Sequence, residues 1–343
     1  MDESIHLMVT SPPYPMIAMW DGMFSQQNND IKKALDLKDG NLAFELIHKE
    51  LDSVWKECYR VLRPGGFACI NIGDATRKLG DTFKLYSNHF RILQYCHQLG
   101  FDTLPVILWR KQSNAPNKFM GSGMLAAGAY VTLEHEYILI LRKGSKREFH
   151  TLAEKENRME SAYFWEERNS WFSDIWDFKG VRQDLSNRIT RSRSAAYPFE
   201  LAYRLINMYS VKGDTVLDPF LGTGTSLLAA IASDRNSIGI EWDVHFRDVI
   251  VSSLQNTCQS MNTFIQKRLD NHRSFIKEYQ KTKPVKYKNI HYHFPVMTKQ
   301  ETKLKLNYIK DITLVANDEI IVSHTEYESQ QIPPMISLKG FNS

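Results

Sequence analysis

The sequence predicts an α/β fold, a doubly wound and mostly parallel sheet covered by helices on both faces, with an inserted region and a C-terminal extension. Three observations carry that expectation. Apolar runs of strand length alternate with segments of helical period. Two of the runs, "FACINIG" (67–73) and "EYILILR" (136–142), are almost continuously apolar, as strands buried on both faces are. Two strand ends lead into loops rich in proline or glycine, "TSPPYP" (10–15) and "DPFLGTGT" (218–225), at the edge where open α/β sheets hold ligands.

The elements follow in order. Residues 5–9 ("IHLMV") read as a buried strand. It stops at Pro12 and Pro13, which cannot donate to a ladder, and Ser11 before the first proline is held extended. Residues 42–62 form an amphipathic helix, with Ile47, Leu51, Val54, Trp55 and Cys58 at helical spacing. "RPGG" (63–66) ends that helix ahead of the strand 67–73. A helix from Phe90 to Leu99 is capped by Gly100, and strands follow at 104–109 and 136–142. From 144 to 172 charged and aromatic residues mix without a period, which marks an insertion or a mobile segment. A helix at 197–210, a strand at 214–220, a helix through 233 and a strand at 236–243 make a second βαβ unit. Beyond 246 come a helix and a basic stretch containing Lys267, Arg268, Arg273, Lys277, Lys281, Lys283, Lys286 and Lys288. The segment "ITLVANDEIIVSH" (312–324) reads as a hairpin turned at Asn317 and Asp318.

A chain of 343 residues allows about two domains at roughly 150 residues each. Its 43% apolar and 24% charged residues are those of an ordinary folded protein. With a formal charge of only +4, a nucleic-acid partner would have to be served by local basic patches. Cys58, Cys69, Cys96 and Cys258 lie far apart without metal-ligand spacing, so a reduced, cytoplasmic protein without a metal is expected. No apolar run approaches the roughly 20 residues that cross a bilayer.

"DPFLGTGT" ends a strand and opens a helix. Gly222 and Gly224 therefore let a ligand approach the backbone closely, while the helix start offers N–H groups. Tight turn packing would use the same glycines. No Gly-Lys-Ser/Thr is present, which removes the usual lysine for a triphosphate. "GIEWD" places Glu241 at the end of the next strand, where a carboxylate can take both hydroxyls of a ribose. An adenosyl ligand without a phosphate chain fits this pair better than ATP does. Trp242, next in sequence, either lies against an adenine or packs locally.

"SPPY" (11–14) makes sense beside such a ligand. A proline carbonyl is a fixed acceptor and the Ser11 hydroxyl a second, so together they can take both protons of an amino group, while Tyr14 can stack on a flat ring. An exocyclic base amine has its lone pair delocalised into the ring. Drawing on its N–H groups favours the pyramidal geometry in which that lone pair attacks a methyl sulfonium. A plain strand-ending turn would account for the prolines alone.

In this order, "TSPPY", "VLRPGGFACINIGD", "AAYPFELAYRLI" and "DTVLDPFLGTGTSLLAA" with "SIGIEWD" resemble the amino-methylating DNA methyltransferases whose catalytic block precedes the cofactor block. The resemblance covers residues 4–246, and "TSPPYPMIAMWDGMF" is similar to the branch usually assigned to cytosine-N4 transfer. An aspartate in place of Ser11 would be the commoner adenine-N6 form. The resemblance implies a Rossmann-like methyltransferase sheet, S-adenosyl-L-methionine as donor, double-stranded DNA as substrate and a flipped target base. It makes Ser11, Pro12, Pro13 and Tyr14 the catalytic tetrad. Asp218, Pro219, Phe220, Gly222, Thr223 and Gly224 become the loop around the methionine part of the cofactor, and Glu241 the ribose ligand. Tyr197, Pro198 and Glu200 open a helix that flanks the cofactor, or serve only its capping and packing. Asn71 and Asp74 either line the site or cap a loop. The chain then divides into a catalytic half (1–143), part of a target-recognition region (144–195), a cofactor-binding half (196–250) and a basic extension (251–343).

One departure from the family pattern stands out. Its members usually carry a further strand before the tetrad, with an acidic residue on the adenine side of the cofactor, whereas Met1 lies only ten positions before Ser11. Either the sequence lacks that segment or the C-terminal hairpin takes its place.

Reaching an amine inside a duplex requires turning the base out at a cost of a few kcal/mol. Tyr14 is the expected stacking ring, with Trp20 second. Ring-carbon methylation would need a cysteine nucleophile, and no cysteine lies near the tetrad, so direct transfer to nitrogen remains. Two regions compete for the DNA: 111–133 with 144–193, including Lys111, Lys118, Arg182, Arg188, Arg191 and Arg193, and the stretch 267–288. Such charges give phosphate affinity but no recognition sequence. Rival readings are adenine-N6 transfer on the same scaffold, methylation of a protein glutamine or RNA base, and a DNA-binding remnant without catalysis. A cognate restriction endonuclease and a homodimer are compatible partners.

Overall fold

The computed structural model describes residues 2–111, 121–180, 197–315 and 318–326. Its strands in chain order begin with β1 (Ile5–Thr10), β2 (Leu62–Ile72), a hairpin of β3 (Ala75–Leu79) and β4 (Thr82–Tyr86), and β5 (Phe101–Arg110). They continue with β6 (His135–Lys143), β7 (Ile175–Asp177), β8 (Thr215–Asp218) and β9 (Asn236–Gly239). Seven of them form one sheet in the order β7, β5, β6, β2, β1, β8, β9. β1 lies between β2 and β8 and runs parallel to both, β8 is parallel to β9, and β5 is parallel to β7. β6 is reversed, antiparallel to β2 and to β5.

Alternation along each strand splits the core into two layers. Met8 of β1, Ala68 and Ile70 of β2, and Leu139 and Leu141 of β6 face the helices Asn29–Asp36, Gly40–Val61 and Asn88–Leu99, meeting Ile31, Ile47, Trp55 and Ile92. Leu7, Val9, Cys69, Ile138 and Ile140 face the helices Phe199–Tyr209, Thr225–Ala232 and Phe246–Tyr279, meeting Leu201, Leu205, Ala229 and Leu254. Both faces are buried, which is why these strands read as continuous apolar runs. Each fully buried Leu or Ile contributes roughly 1.5–3 kcal/mol.

Several boundaries differ from expectation. β2 starts at Leu62, because "RPGG" is a bulge inside the strand: Ile5 pairs with Leu62 but Leu7 with Phe67. Gly65 there has φ 80°, and a Cβ on it would stand 2.7 Å from the backbone nitrogen of Arg147. The hairpin Ala75–Tyr86 and the helices Asp21–Gln27 and Asn29–Asp36 have no counterpart in the sequence reading. The aperiodic stretch 144–172 holds two short helices, Leu152–Glu160 and Trp165–Trp171.

A third apolar cluster joins this stretch to the C-terminal extension, packing Phe164 against Ile265, Leu269, Phe294, Val296 and Leu304. Next to it Arg268 grips Glu167 at 2.6 and 2.7 Å. The extension continues through the short pair β10 (Tyr287–Lys288) and β11 (Pro295–Val296) to the hairpin β12 (Tyr308–Leu314) and β13 (Ile320–Thr325). That hairpin forms as expected, with Asp318 at φ 60°, while Asn317 lies outside the described residues. It makes a separate two-stranded sheet, so it does not take the place of a strand beside β9, which is one of the two outer strands of the central sheet. Among the described residues no helix is long and apolar enough to cross a membrane.

Candidate active site

Because β1, β2 and β8 are parallel, their C-terminal ends share one edge of the sheet, and the reversed β6 brings its N-terminal end to that edge. Ser11 to Tyr14, Asn71 and Glu136 meet there. Ser11 Oγ lies 3.2 Å from the Tyr14 hydroxyl and 3.5 Å from Asn71 Nδ2. The Tyr14 hydroxyl donates to Glu136 Oε2 at 2.8 Å and accepts from Asn71 Nδ2 at 2.8 Å. Asn71 Nδ2 also donates to Glu136 Oε2 at 2.7 Å, and its Oδ1 is buried without a donor. Lys111, one residue past β5, pairs with Glu136 Oε1. Among the described residues no donor reaches the carbonyls of Pro12 and Pro13. Burial first, and then the Glu136 carboxylate, hold the Tyr14 phenol well above its ordinary value of 10, so it stays protonated.

The loop is fixed from behind. Asn88, fully buried, donates to the carbonyls of Pro15 at 3.0 Å and Gly73 at 2.9 Å. With its amide nitrogen so used, Asn88 presents Oδ1 to His48 Nε2 at 3.1 Å, which makes that nitrogen the donor. Burial lowers the His48 pKa to about 3, so the ring is neutral. A Cβ at Gly73 would stand 2.9 Å from the Tyr14 ring, which explains the glycine at the end of β2. Of the two residues left open there, Asn71 enters the site. Asp74 instead accepts from the backbone N–H of His89 at 3.1 Å and caps the helix Asn88–Leu99. Trp20 packs in part against that core layer.

At the end of β8, Asp218 is fully enclosed. It accepts from Thr10 Oγ1 at 2.5 Å, Ser226 Oγ at 2.5 Å, the Tyr197 hydroxyl at 3.3 Å and the Phe220 N–H at 3.0 Å. Four donors use the carboxylate's four lone-pair directions, so Asp218 shapes the loop. Burial nonetheless raises its pKa. The Thr10 bond ties the proline loop to the glycine loop. Pro219 and Phe220 follow, Phe220 stacking edgewise on Trp55 with ring centroids 5.9 Å apart. Gly222 and Gly224, flanking Thr223, have φ 53° and 83°, in the left-handed region that favours glycine. Gly224 N-caps the helix Thr225–Ala232, and Pro198 does so for Phe199–Tyr209.

Glu241 lies two residues beyond β9, which ends at Gly239 and not at 243. Its Oε2 accepts from the Gly222 N–H at 2.7 Å and its Oε1 from the Asp243 N–H at 2.9 Å. Each oxygen keeps a second lone pair for a ribose hydroxyl. A Cβ at Gly222 would meet nothing within 4 Å, so the loop has open space in front of it. Trp242 is 66% exposed beside it, a flat face not used in local packing. Open backbone, spare carboxylate lone pairs and a free indole fit an adenosyl group.

A family profile described as DNA methylase (N6_N4_Mtase) matches residues 5–252. The chain belongs to the N6/N4 DNA methylase family. This methylase is 52% identical over 335 residues to the Type II methyltransferase M.MthZI of Methanothermobacter thermautotrophicus, covering 97% of this chain and 92% of that one. It is 51% identical over 260 residues to the Type II methyltransferase M.MjaI of Methanocaldococcus jannaschii, covering 73% of this chain and 84% of that one. Among solved structures, a putative DNA modification methylase from Thermus thermophilus in complex with S-adenosyl-L-methionine superposes with a TM-score of 0.54 and 33% identity, over 73% of this chain and 84% of that one.

In this methylase the cysteines are poor nucleophiles. Burial pushes the Cys58 thiol up to about 12 and raises Cys69, Cys96 and Cys258 as well. The basic residues sort into different roles. Lys111 belongs to the site, and Arg268 is buried, 5% exposed, on Glu167 and the Tyr203 hydroxyl, which removes it from any DNA-facing set. Lys118, Arg182, Arg188, Arg191 and Arg193 lie outside the described residues. Glu166, His272 and Glu301 cluster in the extension, but His272 faces an acceptor at both ring nitrogens, Glu166 Oε1 at 2.8 Å and the Pro295 carbonyl at 3.0 Å. Thr10, Asn88 and Glu136 were missed from sequence; the one available signal was a carboxylate opening the apolar run "EYILILR".

Proposed function

We propose that this methylase transfers a methyl group from S-adenosyl-L-methionine to the exocyclic N4 of a cytosine turned out of duplex DNA. The observation that carries the reading is the head of the proline loop: a neutral hydroxyl, Ser11 Oγ, beside two proline carbonyls without a donor among the described residues. The Ser11 hydroxyl and one proline carbonyl match the two protons of a base amine, and the "TSPPY" pattern resembles the cytosine-N4 branch. The bound donor supplies a methyl group on a sulfonium. Glu241 would take the ribose hydroxyls, the loop Asp218 to Gly224 the methionine part, Trp242 the adenine, and Tyr197 and Pro198 would support them from behind.

The chain's own groups then do three things. Tyr14 offers its ring to the flipped base, held in orientation by Glu136 and Asn71. Ser11 and the proline carbonyls draw on the amine's protons and turn its lone pair outward. With every thiol raised in pKa, the amine nitrogen attacks directly and no covalent enzyme intermediate is needed. Residues 1–143 and 196–250 would make the catalytic and cofactor halves, 144–195 part of the target-recognition region, and 251–343 a basic extension. Two relatives bear the name Type II methyltransferase, which supports a role in restriction and modification, with a cognate endonuclease as the partner such a role would call for.

The test is incubation with methyl-labelled S-adenosyl-L-methionine and mixed-sequence duplex DNA, followed by mass spectrometry of the nucleosides. N4-methylcytosine is expected. N6-methyladenine would move the chain to the other branch of its family.

A further inference from the structure

We infer that Glu136 is the final proton acceptor of the methyl transfer, reached from the target amine through the hydroxyls of Ser11 and Tyr14. This rests on the amino-transfer reading of the site. Methylating a neutral amine leaves its nitrogen with a positive charge and one proton too many. Ser11, unlike an aspartate, cannot hold that proton unless it gives up its own. Ser11 Oγ donates toward the Tyr14 hydroxyl at 3.2 Å, and Tyr14 in turn donates to Glu136 Oε2 at 2.8 Å. Each oxygen of this row can receive a proton on one side and release one on the other. The row ends on a carboxylate.

The surroundings fit that role. Glu136 is 9% exposed, at the start of an apolar strand. Asn71 Nδ2 holds the same Oε2 at 2.7 Å, and Lys111, its side chain 41% exposed, stands at Oε1 between the carboxylate and solvent. Other carboxylates near this edge are engaged: Asp218 by four donors and Asp74 by His89.

The step balances. The nitrogen lone pair forms the carbon–nitrogen bond as the carbon–sulfur bond breaks and leaves its electron pair on sulfur. The excess proton passes from nitrogen to Ser11 Oγ, the Ser11 proton to the Tyr14 oxygen, and the Tyr14 proton to Glu136 Oε2. The neutral acid then loses its proton to water on the Lys111 side.

Single-turnover methyl transfer by the full chain tests this, with separately measured dissociation constants for S-adenosyl-L-methionine and DNA. Glu136→Gln keeps an oxygen for the Tyr14 hydroxyl but removes the base, and Tyr14→Phe cuts the row while keeping the ring. Each is expected to slow the transfer step roughly 10²-fold, with the double variant no slower than either and both dissociation constants unchanged. A wild-type rate in Glu136→Gln, or additive losses in the double variant, would overturn the relay. If Glu136→Gln fails to fold, Tyr14→Phe decides alone: a wild-type rate overturns the relay. Wild-type chain that binds both ligands yet yields no methylated nucleoside would overturn the amino-transfer reading, and the relay with it.

Discussion

Ser11 and Glu241 stand at opposite ends of the proposed transfer, so their losses separate. Ser11→Ala removes one acceptor for the amine and is expected to lower kcat roughly 10²-fold while the cofactor dissociation constant stays put. Parallel loss of cofactor binding would make Ser11 a structural residue. Glu241→Ala should do the reverse, weakening cofactor binding by about 1–3 kcal/mol in a calorimetric titration, since it also releases the Gly222 N–H. Unchanged affinity would take Glu241 out of the site. Ser11, Tyr14 and Glu241 were legible because their chemistry and their place after an apolar run coincide. Glu136 was not, because its position depends on β6 running against its neighbours, and strand direction is not written in local sequence. Asn71 and Asp74 looked equivalent until the helix Asn88–Leu99 was seen to need a cap.

At the level of elements, two buried polar contacts hold pieces together that sequence periodicity did not connect. Arg268 fastens the helix Trp165–Trp171 to the helix Phe246–Tyr279 and lies over the rings of Trp171 and Tyr203. Arg268→Ala leaves the Glu167 carboxylate without its cation, with only the Phe164 N–H still donating to it, and an unfolding midpoint in urea should report a loss of about 3–5 kcal/mol. A change within about 0.5 kcal/mol would mean that the pair is dispensable. His48 gives the second contact a pH dependence. The unfolded chain binds a proton on this ring below its ordinary 6.5, whereas the folded ring takes one only near 3. Stability therefore falls as pH drops through that window, by on the order of 5 kcal/mol in all. His48→Gln should flatten the midpoint between pH 7 and pH 5; an unchanged slope would assign the acid sensitivity elsewhere. The long strands and the helices Gly40–Val61 and Asn88–Leu99 were legible from their apolar period. The hairpin Ala75–Tyr86 was not, since only "TFKL" in "TRKLGDTFKL" alternates and its partner strand is polar, and neither were the short helices after residue 150, whose buried positions are too few to establish a period.

For the molecule as a whole, the loop after β8 belongs to the same sheet as the proline loop, and the extension is packed onto that sheet's helices. S-adenosyl-L-methionine at about 100 times its dissociation constant should then stabilise the entire chain by about 2.7 kcal/mol, read as one shifted thermal transition. Two transitions, with only one shifted, would show that the extension unfolds by itself. The same sheet imposes an order of events during synthesis. β1 leaves the ribosome long before β8, yet Leu7 pairs with Val216 of β8, and Thr10 waits for Asp218. At roughly 5–20 residues per second, about 10 to 40 s pass between making the two strands. During that interval the nascent chain holds its proline loop beside an open strand edge, with no glycine loop to accompany it. The partner strand must find that edge before another molecule does, so the yield of soluble protein is decided late in translation.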